Sequence, residues 1–67
     1  MDIIDSIKQA QSVRDWNDSE LSRRLGLSQS VWSRIKHRQR PMKLQFVKAV
    51  GQVMPELQAQ LRKWLWG

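Results

Sequence analysis

Three polar residues in the middle of the chain, Gln29, Ser30 and Arg34, have side chains and spacing suited to recognition by hydrogen bonds. Ser30 and Arg34 are one helical turn apart and Gln29 is adjacent, so all three can share one outward face of a helix, with Ser33 at its border. An amide can pair with N6 and N7 of adenine, and a guanidinium with O6 and N7 of guanine. Without an element that positions them, the same residues would be ordinary helix surface.

The helix before these residues is predicted from its cap and its apolar spacing. Asn17 is a good N-cap, and Glu20 three residues later completes a capping box. Leu21 and Leu25 are four residues apart and therefore lie on one face. We expect a short helix from about Asp18 to Leu25, with acids at its start and arginines at its end, as the helix dipole favours.

The helix that carries the polar residues follows after a tight turn. Gly26 stands where a helix ends with positive φ, a conformation that glycine adopts at no steric cost. Ser28 then caps a second helix over about residues 29–36, in which Trp32 and Ile35 form the inward-facing pair. Two short helices and a turn containing glycine make up the helix-turn-helix pattern.

Two tryptophans in this region each allow two interpretations. Trp32 is expected in the core with Ile35, whereas the alternative pairs Val31 with Ile35 and leaves Trp32 near the edge of the outward face. Trp16 precedes the cap of the first helix, where a hydrophobic staple residue would pack against Leu21. The alternative for Trp16 is an exposed aromatic used in binding.

At these residues the chain resembles the helix-turn-helix of the phage repressor and Cro family, a group of small DNA-binding regulators. The matching residues are Leu21-Ser22, Leu25-Gly26-Leu27-Ser28-Gln29-Ser30, Trp32-Ser33 and Ile35, with a weaker likeness through Pro41 and residues 48–51. The resemblance implies an all-α fold: a compact bundle of about five short helices with a central helix-turn-helix, as in a lambda-repressor-like DNA-binding domain. It also implies a single domain over residues 1–67 and a transcriptional regulator that occupies operator DNA.

The resemblance further implies roles for individual residues. The helix at about 29–36 would enter the major groove and present its outward side to base edges. The base-reading residues would be Gln29, Ser30, Ser33 and Arg34. The phosphate-contacting residues would be Asn17, Arg23, Ser28, Lys36, His37, Arg38, Arg40 and Lys43. Asp18, in contrast, is expected to serve the end of its helix or to contact a base only through water.

The distribution of charge favours a polyanionic partner. The chain has 12 Lys and Arg against 6 Asp and Glu, which gives a formal net charge of +6. No acid lies between Leu21 and Pro55, a segment with eight basic residues that includes the polar face described above. Such a basic half is typical of nucleic-acid binding, although a solvated face that keeps a protein soluble has the same composition.

Other functional classes find little support in the composition. There is no Cys, and the one His, His37, has no second titratable partner, so no enzyme, metal site or cofactor is expected. The chain has no signal peptide and no apolar run of the ~18 residues that a membrane span needs, so we expect a cytoplasmic protein. A single small domain also leaves no room for a small-molecule effector. The main alternative function is an antitoxin-type or adaptor-type protein-interaction module built on the same helices.

Three further helices are expected around this centre. The first runs from Met1 to about Val13 and is capped by Asp2. Another is expected over residues 43–50 with Gly51 as its stop, followed by a short bridge and a last helix that begins at Pro55. The buried face of the helix over 43–50 would carry Leu44, Phe46, Val47, Ala49 and Val50.

The last helix has more apolar side chains than one small core needs. Its apolar residues recur at helical spacing and continue to the end of the helix. We expect a homodimer whose interface consists of Leu61, Trp64, Leu65 and Trp66. The alternative is that Trp64 or Trp66 folds back over the first helix. Symmetric operators in the family named above imply such a homodimer, with recognition helices about 34 Å apart.

Overall fold

Five short α-helices joined by turns and short loops account for most of the chain, and the computed structural model describes residues 2–66. The helices are α1 (Ile3–Val13), α2 (Asp18–Leu25), α3 (Gln29–Lys36), α4 (Leu44–Val53) and α5 (Gln58–Trp66), and a 3-10 turn at Pro55–Leu57 precedes α5. No strand occurs within residues 2–66. The prediction of a compact, all-α fold with about five helices is confirmed. The expected start of the first helix at Met1 lies outside the described residues.

The first three helices begin at side-chain caps that the sequence predicts. The side-chain oxygens of Asp2, Asn17 and Ser28 accept backbone N–H groups two or three residues further on, at 2.7, 2.8 and 3.4 Å. These bonds satisfy amide donors that the start of a helix leaves free. The capping box expected at α2 is not closed, because the Glu20 carboxylate accepts from two arginines of its own helix instead.

Gly26 ends α2 in the left-handed conformation expected from the sequence, with φ at 75°. Its N–H donates to the Arg23 carbonyl at 3.2 Å, and the N–H of Leu27 donates to the Ser22 carbonyl at 3.0 Å. This is the Schellman pattern of a helix end, in which glycine avoids the penalty of a Cβ at positive φ. The turn therefore fixes the direction in which α3 leaves α2.

The core lies where α2 packs against α3 and α4, and where α5 packs against α1 and α4. Its buried residues are Ile7, Ala10, Leu21, Leu25, Trp32, Ile35, Phe46, Val47, Val50, Met54, Leu57 and Leu61. The Trp32 ring has no exposed surface and stacks on Phe46, with 5.9 Å between the ring centroids. Trp32 is thus a core residue, as expected, and the alternative that leaves it at the outer edge is wrong.

The helix α4 runs further than the sequence predicts but buries most of the predicted face, with Phe46, Val47 and Val50 buried and Ala49 partly buried. The expected stop at Gly51 is wrong, because the helix continues to Val53 and the following Met54 has no exposed surface. Val50 and Met54 are one turn apart, so burial of this face sustains the helix through the glycine. Leu44, expected in the core, is 53% exposed at the start of α4.

Trp16 ties the connection between α1 and α2 to the rest of the molecule. It is partly buried against the core, as a packing role predicts, rather than an exposed aromatic. The guanidinium groups of Arg14 and Arg24 both lie over its ring, 5.4 and 4.5 Å from the ring centroid. Arg14 in turn donates to both carboxylate oxygens of Glu56, at 2.6 and 2.8 Å. These contacts link α1 and α2 to the 3-10 turn.

Candidate nucleic-acid interface

The outward side of α3 is polar along its whole length. Gln29, Ser30 and Arg34 are exposed, and Ser33 is partly buried beside them. At about 100° per residue these four positions fall within an arc of about 140° around the helix axis, and His37, at the end of the helix, falls in the same arc. The four residues predicted to read bases therefore form one contiguous surface.

The inward side of α3 fixes which face points outward. Trp32 is 0% and Ile35 is 2% exposed, and Val31 packs partly buried against the core. Removing a buried Trp side chain typically costs about 3–5 kcal/mol. A rotation of α3 that exposed Trp32 would be unfavourable on the same scale, so the polar face is held in one orientation.

Asp18, the first residue of α2, holds α3 from the side. Its Oδ1 accepts from Trp32 Nε1 at 3.0 Å and from Gln11 Nε2 at 2.8 Å, and its Oδ2 accepts from Lys36 Nζ at 2.5 Å. The Lys36 ammonium, with smaller effects of the other two donors, lowers the pKa of Asp18 from 3.8 to about 2. The carboxylate is therefore ionised at neutral pH and joins α1, α2 and α3.

This network is the part of the site that the sequence did not reveal. An acid at the start of a helix is explained by the helix dipole alone, so Asp18 gave no further signal. Its three partners are 7, 14 and 18 residues away in the chain, beyond the reach of helix-spacing rules. Only the tertiary fold, which places Gln11 of α1 and two residues of α3 around Asp18, brings these groups together.

Three of the predicted phosphate contacts are engaged by carboxylates of the molecule itself. Lys36 pairs with the carboxylate just described, Arg23 pairs with Glu20, and Arg38 pairs with Asp2. These arginines lower the pKa of both Glu20 and Asp2. Exposed ion pairs are worth little, so Arg23 and Arg38 can exchange their partner for another anion. Lys36, whose side chain is 22% exposed, is held in a more buried pair.

Four of the eight basic residues in the central segment have no carboxylate partner among residues 2–66. These are Arg34, Arg40, Lys43 and Lys48. Arg40 and Lys43 line an open groove of about 290 Å³ between the Val31 side of α3 and the start of α4. These two unpaired cations thus flank α3 beside its polar face, where they are available to phosphate groups.

The remaining predicted phosphate contacts stabilise helix ends. The side chains of Asn17 and Ser28 cap α2 and α3, and the Ser28 hydroxyl is also 3.2 Å from that of Ser30. His37 Nδ1 lies 2.8 Å from the Ser33 carbonyl oxygen, to which its N–H can donate. A role for these three residues toward DNA stays a prediction.

The predicted interface on α5 divides into a buried part and an exposed part. Leu61 is 4% exposed and belongs to the core of the single chain, which corrects its assignment to a subunit contact. Trp64, Leu65 and Trp66 are 42%, 45% and 87% exposed. Trp66 therefore does not fold back over α1, whereas Trp64 lines an open groove together with Ile4 of α1.

No family model matches the chain, and comparisons with curated proteins and with solved structures found no match. No helix among residues 2–66 is long and apolar enough to cross a membrane. Within the same residues, no group of three or more His, Cys, Asp or Glu side chains is placed to hold a metal ion. The polar face of α3 and the cations that flank it are the features that support a function.

Proposed function

We propose that this protein is a sequence-specific, double-stranded DNA-binding transcriptional regulator of the helix-turn-helix type, with α3 as its recognition helix. The observation that carries the proposal is the exposed polar face of α3 opposite the fully buried Trp32. A short helix fits the major groove of B-DNA, which is about 12 Å wide, and can bring such a face to the base edges.

Base reading and backbone contact fall to different residues in this proposal. The Gln29 amide pairs with an adenine and the Arg34 guanidinium pairs with a guanine, each through two hydrogen bonds. Arg40 and Lys43 contact phosphates beside the groove and set the position of the protein without reading sequence. Both sets depend on the fixed orientation of α3, because a hydrogen bond to a base edge weakens as the donor–acceptor distance grows beyond about 3.2 Å.

The exposed end of α5 provides the contact with a second copy. Trp64, Leu65 and Trp66 are three consecutive large apolar residues with exposed side chains at the end of α5. The Cα trace of one copy extends over 29 × 24 × 20 Å. Two such protomers side by side can place their α3 helices about 34 Å apart, one turn of DNA, and so match a site with twofold symmetry.

Selection of binding sites from random duplex DNA tests the proposal. We expect enrichment of a motif with two half-sites whose centres are about 10 base pairs apart. Gln29→Ala and Arg34→Ala should each weaken binding to the selected site by roughly 1–3 kcal/mol and relax the preference at the base that each reads. Lys48→Ala removes an unpaired cation from the exposed side of α4, and this control should leave base preference unchanged.

Three results would count against this assignment. A selection that enriches no motif would contradict the proposed function. Enrichment with unchanged base preference in both variants would take the reading role away from α3. Tight, salt-insensitive binding to a protein without any shift of duplex DNA would favour the protein-interaction module instead, because contacts with phosphates weaken steeply as salt rises.

A further inference from the structure

Asp18 connects three helices at the edge of the polar face. Its carboxylate accepts from Gln11 on α1 and from both Trp32 and Lys36 on α3. Trp32 and Lys36 are four residues apart, so the two bonds hold successive turns along one side of α3. A rotation of α3 about its axis would break both bonds together.

The same contact withdraws Lys36 from the cations that are free to meet DNA. Lys36 lies seven residues after Gln29, so the two side chains leave α3 on nearly the same side. Its ammonium is paired with Asp18, and its side chain is 22% exposed. An unpaired lysine at this edge of the polar face would add a phosphate contact to every DNA sequence equally.

We infer that Asp18 is a positioning and specificity-determining residue for DNA reading: its carboxylate fixes the orientation of the base-reading face and holds the Lys36 ammonium away from phosphates. The inference rests on the proposed function. Binding to random DNA comes almost wholly from phosphate contacts, whereas discrimination comes from base contacts. Asp18 lowers the affinity for random DNA and preserves the base contacts. It therefore raises the ratio of specific to random affinity.

The experiment compares Asp18→Asn with the wild type on the selected duplex and on a random duplex of equal length, over a series of salt concentrations. Asparagine keeps an oxygen that can accept from Trp32 but loses the ion pair with Lys36. On random DNA we expect the slope of log K against log salt concentration to steepen by about 0.9, the value for one more phosphate contact. The ratio of specific to random affinity should fall on the order of tenfold, a value inside the broad range of coupling between residues in contact.

Asp15→Asn is the matched control. Asp15 is an exposed acid with no ion pair among residues 2–66, and it lies three residues before Asp18. Its φ is 57°, a conformation that asparagine tolerates well. This variant removes the same charge without touching the network, so it should leave the salt slope and the affinity ratio unchanged.

Lys36→Met separates the two roles of Asp18. In the wild-type background it should leave the salt slope unchanged, because the ammonium is not a phosphate contact. In the Asp18→Asn background it should return the steepened slope to the wild-type value, while the weakened base preference remains. If circular dichroism shows that Asp18→Asn is unfolded at the assay temperature, Lys36→Met in the wild-type background still tests whether Lys36 contacts phosphate.

The inference and the proposed function fail in different ways. A Lys36→Met protein with a slope shallower by about 0.9 would show that Lys36 does contact phosphate and would overturn the inference. Folded Asp18→Asn with wild-type slope and wild-type base preference would overturn it too, and both results leave the proposed function in place. A wild-type protein that selects no DNA sequence would remove both.

Discussion

Arg38 ends α3 in a conformation that favours glycine. Its φ is 60°, and its guanidinium pairs at the surface with Asp2. The left-handed region costs a residue with a Cβ roughly 1–2 kcal/mol, more than an exposed ion pair usually returns. An arginine at this position is thus locally unfavourable, a pattern found where a side chain is retained for function.

Arg38→Gly and Arg38→Ala remove the same charge but differ in backbone strain. We expect the glycine variant to have a free energy of unfolding about 1 kcal/mol higher than the alanine variant, measured by urea denaturation. Both should weaken binding to selected and random duplexes equally, since neither has a guanidinium for phosphate. Equal stabilities would contradict the strain at Arg38, and a difference in base preference would contradict its role as a backbone contact.

Asp18 makes the stability of the fold sensitive to acid. Its pKa is about 2 in the folded protein against 3.8 for an unperturbed aspartate, so its stabilising effect is complete above about pH 4 and is lost as the pH falls through 2. A tenfold change in proton affinity corresponds to ~1.4 kcal/mol, so the lowered pKa of Asp18 stabilises the fold by roughly 2–3 kcal/mol. Asp18→Asn should flatten the decline in unfolding free energy between pH 4 and pH 2, measured by urea denaturation, whereas Asp15→Asn should retain it. An equally steep decline in both variants would assign the acid sensitivity to other carboxylates.

At the scale of helices, replacing Gly26 or Gly51 by alanine should change the stability of the protein in opposite directions. Gly26 has φ at 75°, so Gly26→Ala should destabilise the protein by ~1 kcal/mol or more. Gly51 lies inside α4, where an added Cβ would meet Leu61 Cδ1 at 3.6 Å and Gln58 Cγ at 3.8 Å, both ordinary contacts. Gly51→Ala should therefore stabilise by about 1 kcal/mol through helix propensity. Thermal unfolding measures the stability change of both variants. A destabilised Gly51→Ala would show that α5 packs closer to α4 than these distances indicate.

The same two glycines show why some helix boundaries could be predicted and others could not. The bounds of α2 and α3 follow from caps and a turn glycine that act within a few residues, and the structure has them where the sequence predicts. Gly51 carried the same local signal, but burial of Met54 one turn beyond Val50 outweighed it. The candidate site likewise has a part that could be predicted and a part that could not. The helical period predicts the exposed face of α3, whereas the pairing of Lys36 with Asp18 depends on tertiary packing, which local sequence patterns do not predict.

Over the whole molecule, internal ion pairs reduce the number of cations available to the DNA that we propose as partner. Arg40 and Lys43 flank α3 without a carboxylate partner among residues 2–66. Arg40→Ala and Lys43→Ala should each make the salt slope shallower by about 0.9 on selected and random duplexes alike, measured by fluorescence anisotropy. Lys48→Ala serves as the control. A loss confined to the selected duplex would assign base reading to the groove rather than to α3.

Self-association should depend on the exposed end of α5 and not on its buried turn. Leu61 and Leu65 are one turn apart, but the first is 4% and the second 45% exposed, and Trp66 is 87% exposed. Leu61→Ser should lower the unfolding free energy of the protomer, because it places a hydroxyl in the core. Leu65→Ser and Trp66→Ser should leave protomer stability nearly unchanged. If Trp66 anchors the contact between copies, its removal should weaken dimerisation by ~2 kcal/mol or more, about thirtyfold in the dissociation constant.

Sedimentation equilibrium measures the dissociation constant of the dimer directly. Binding to DNA provides a second measurement of the same contact. On a duplex with two half-sites Trp66→Ser should lose the gain in affinity that the second half-site gives, while its affinity for a single half-site stays at the wild-type value. That combination follows only if the apolar end of α5 joins two copies whose reading helices are themselves intact. A wild-type protein that stays monomeric in solution and binds both duplexes with equal affinity per half-site would leave these side chains without a role in assembly.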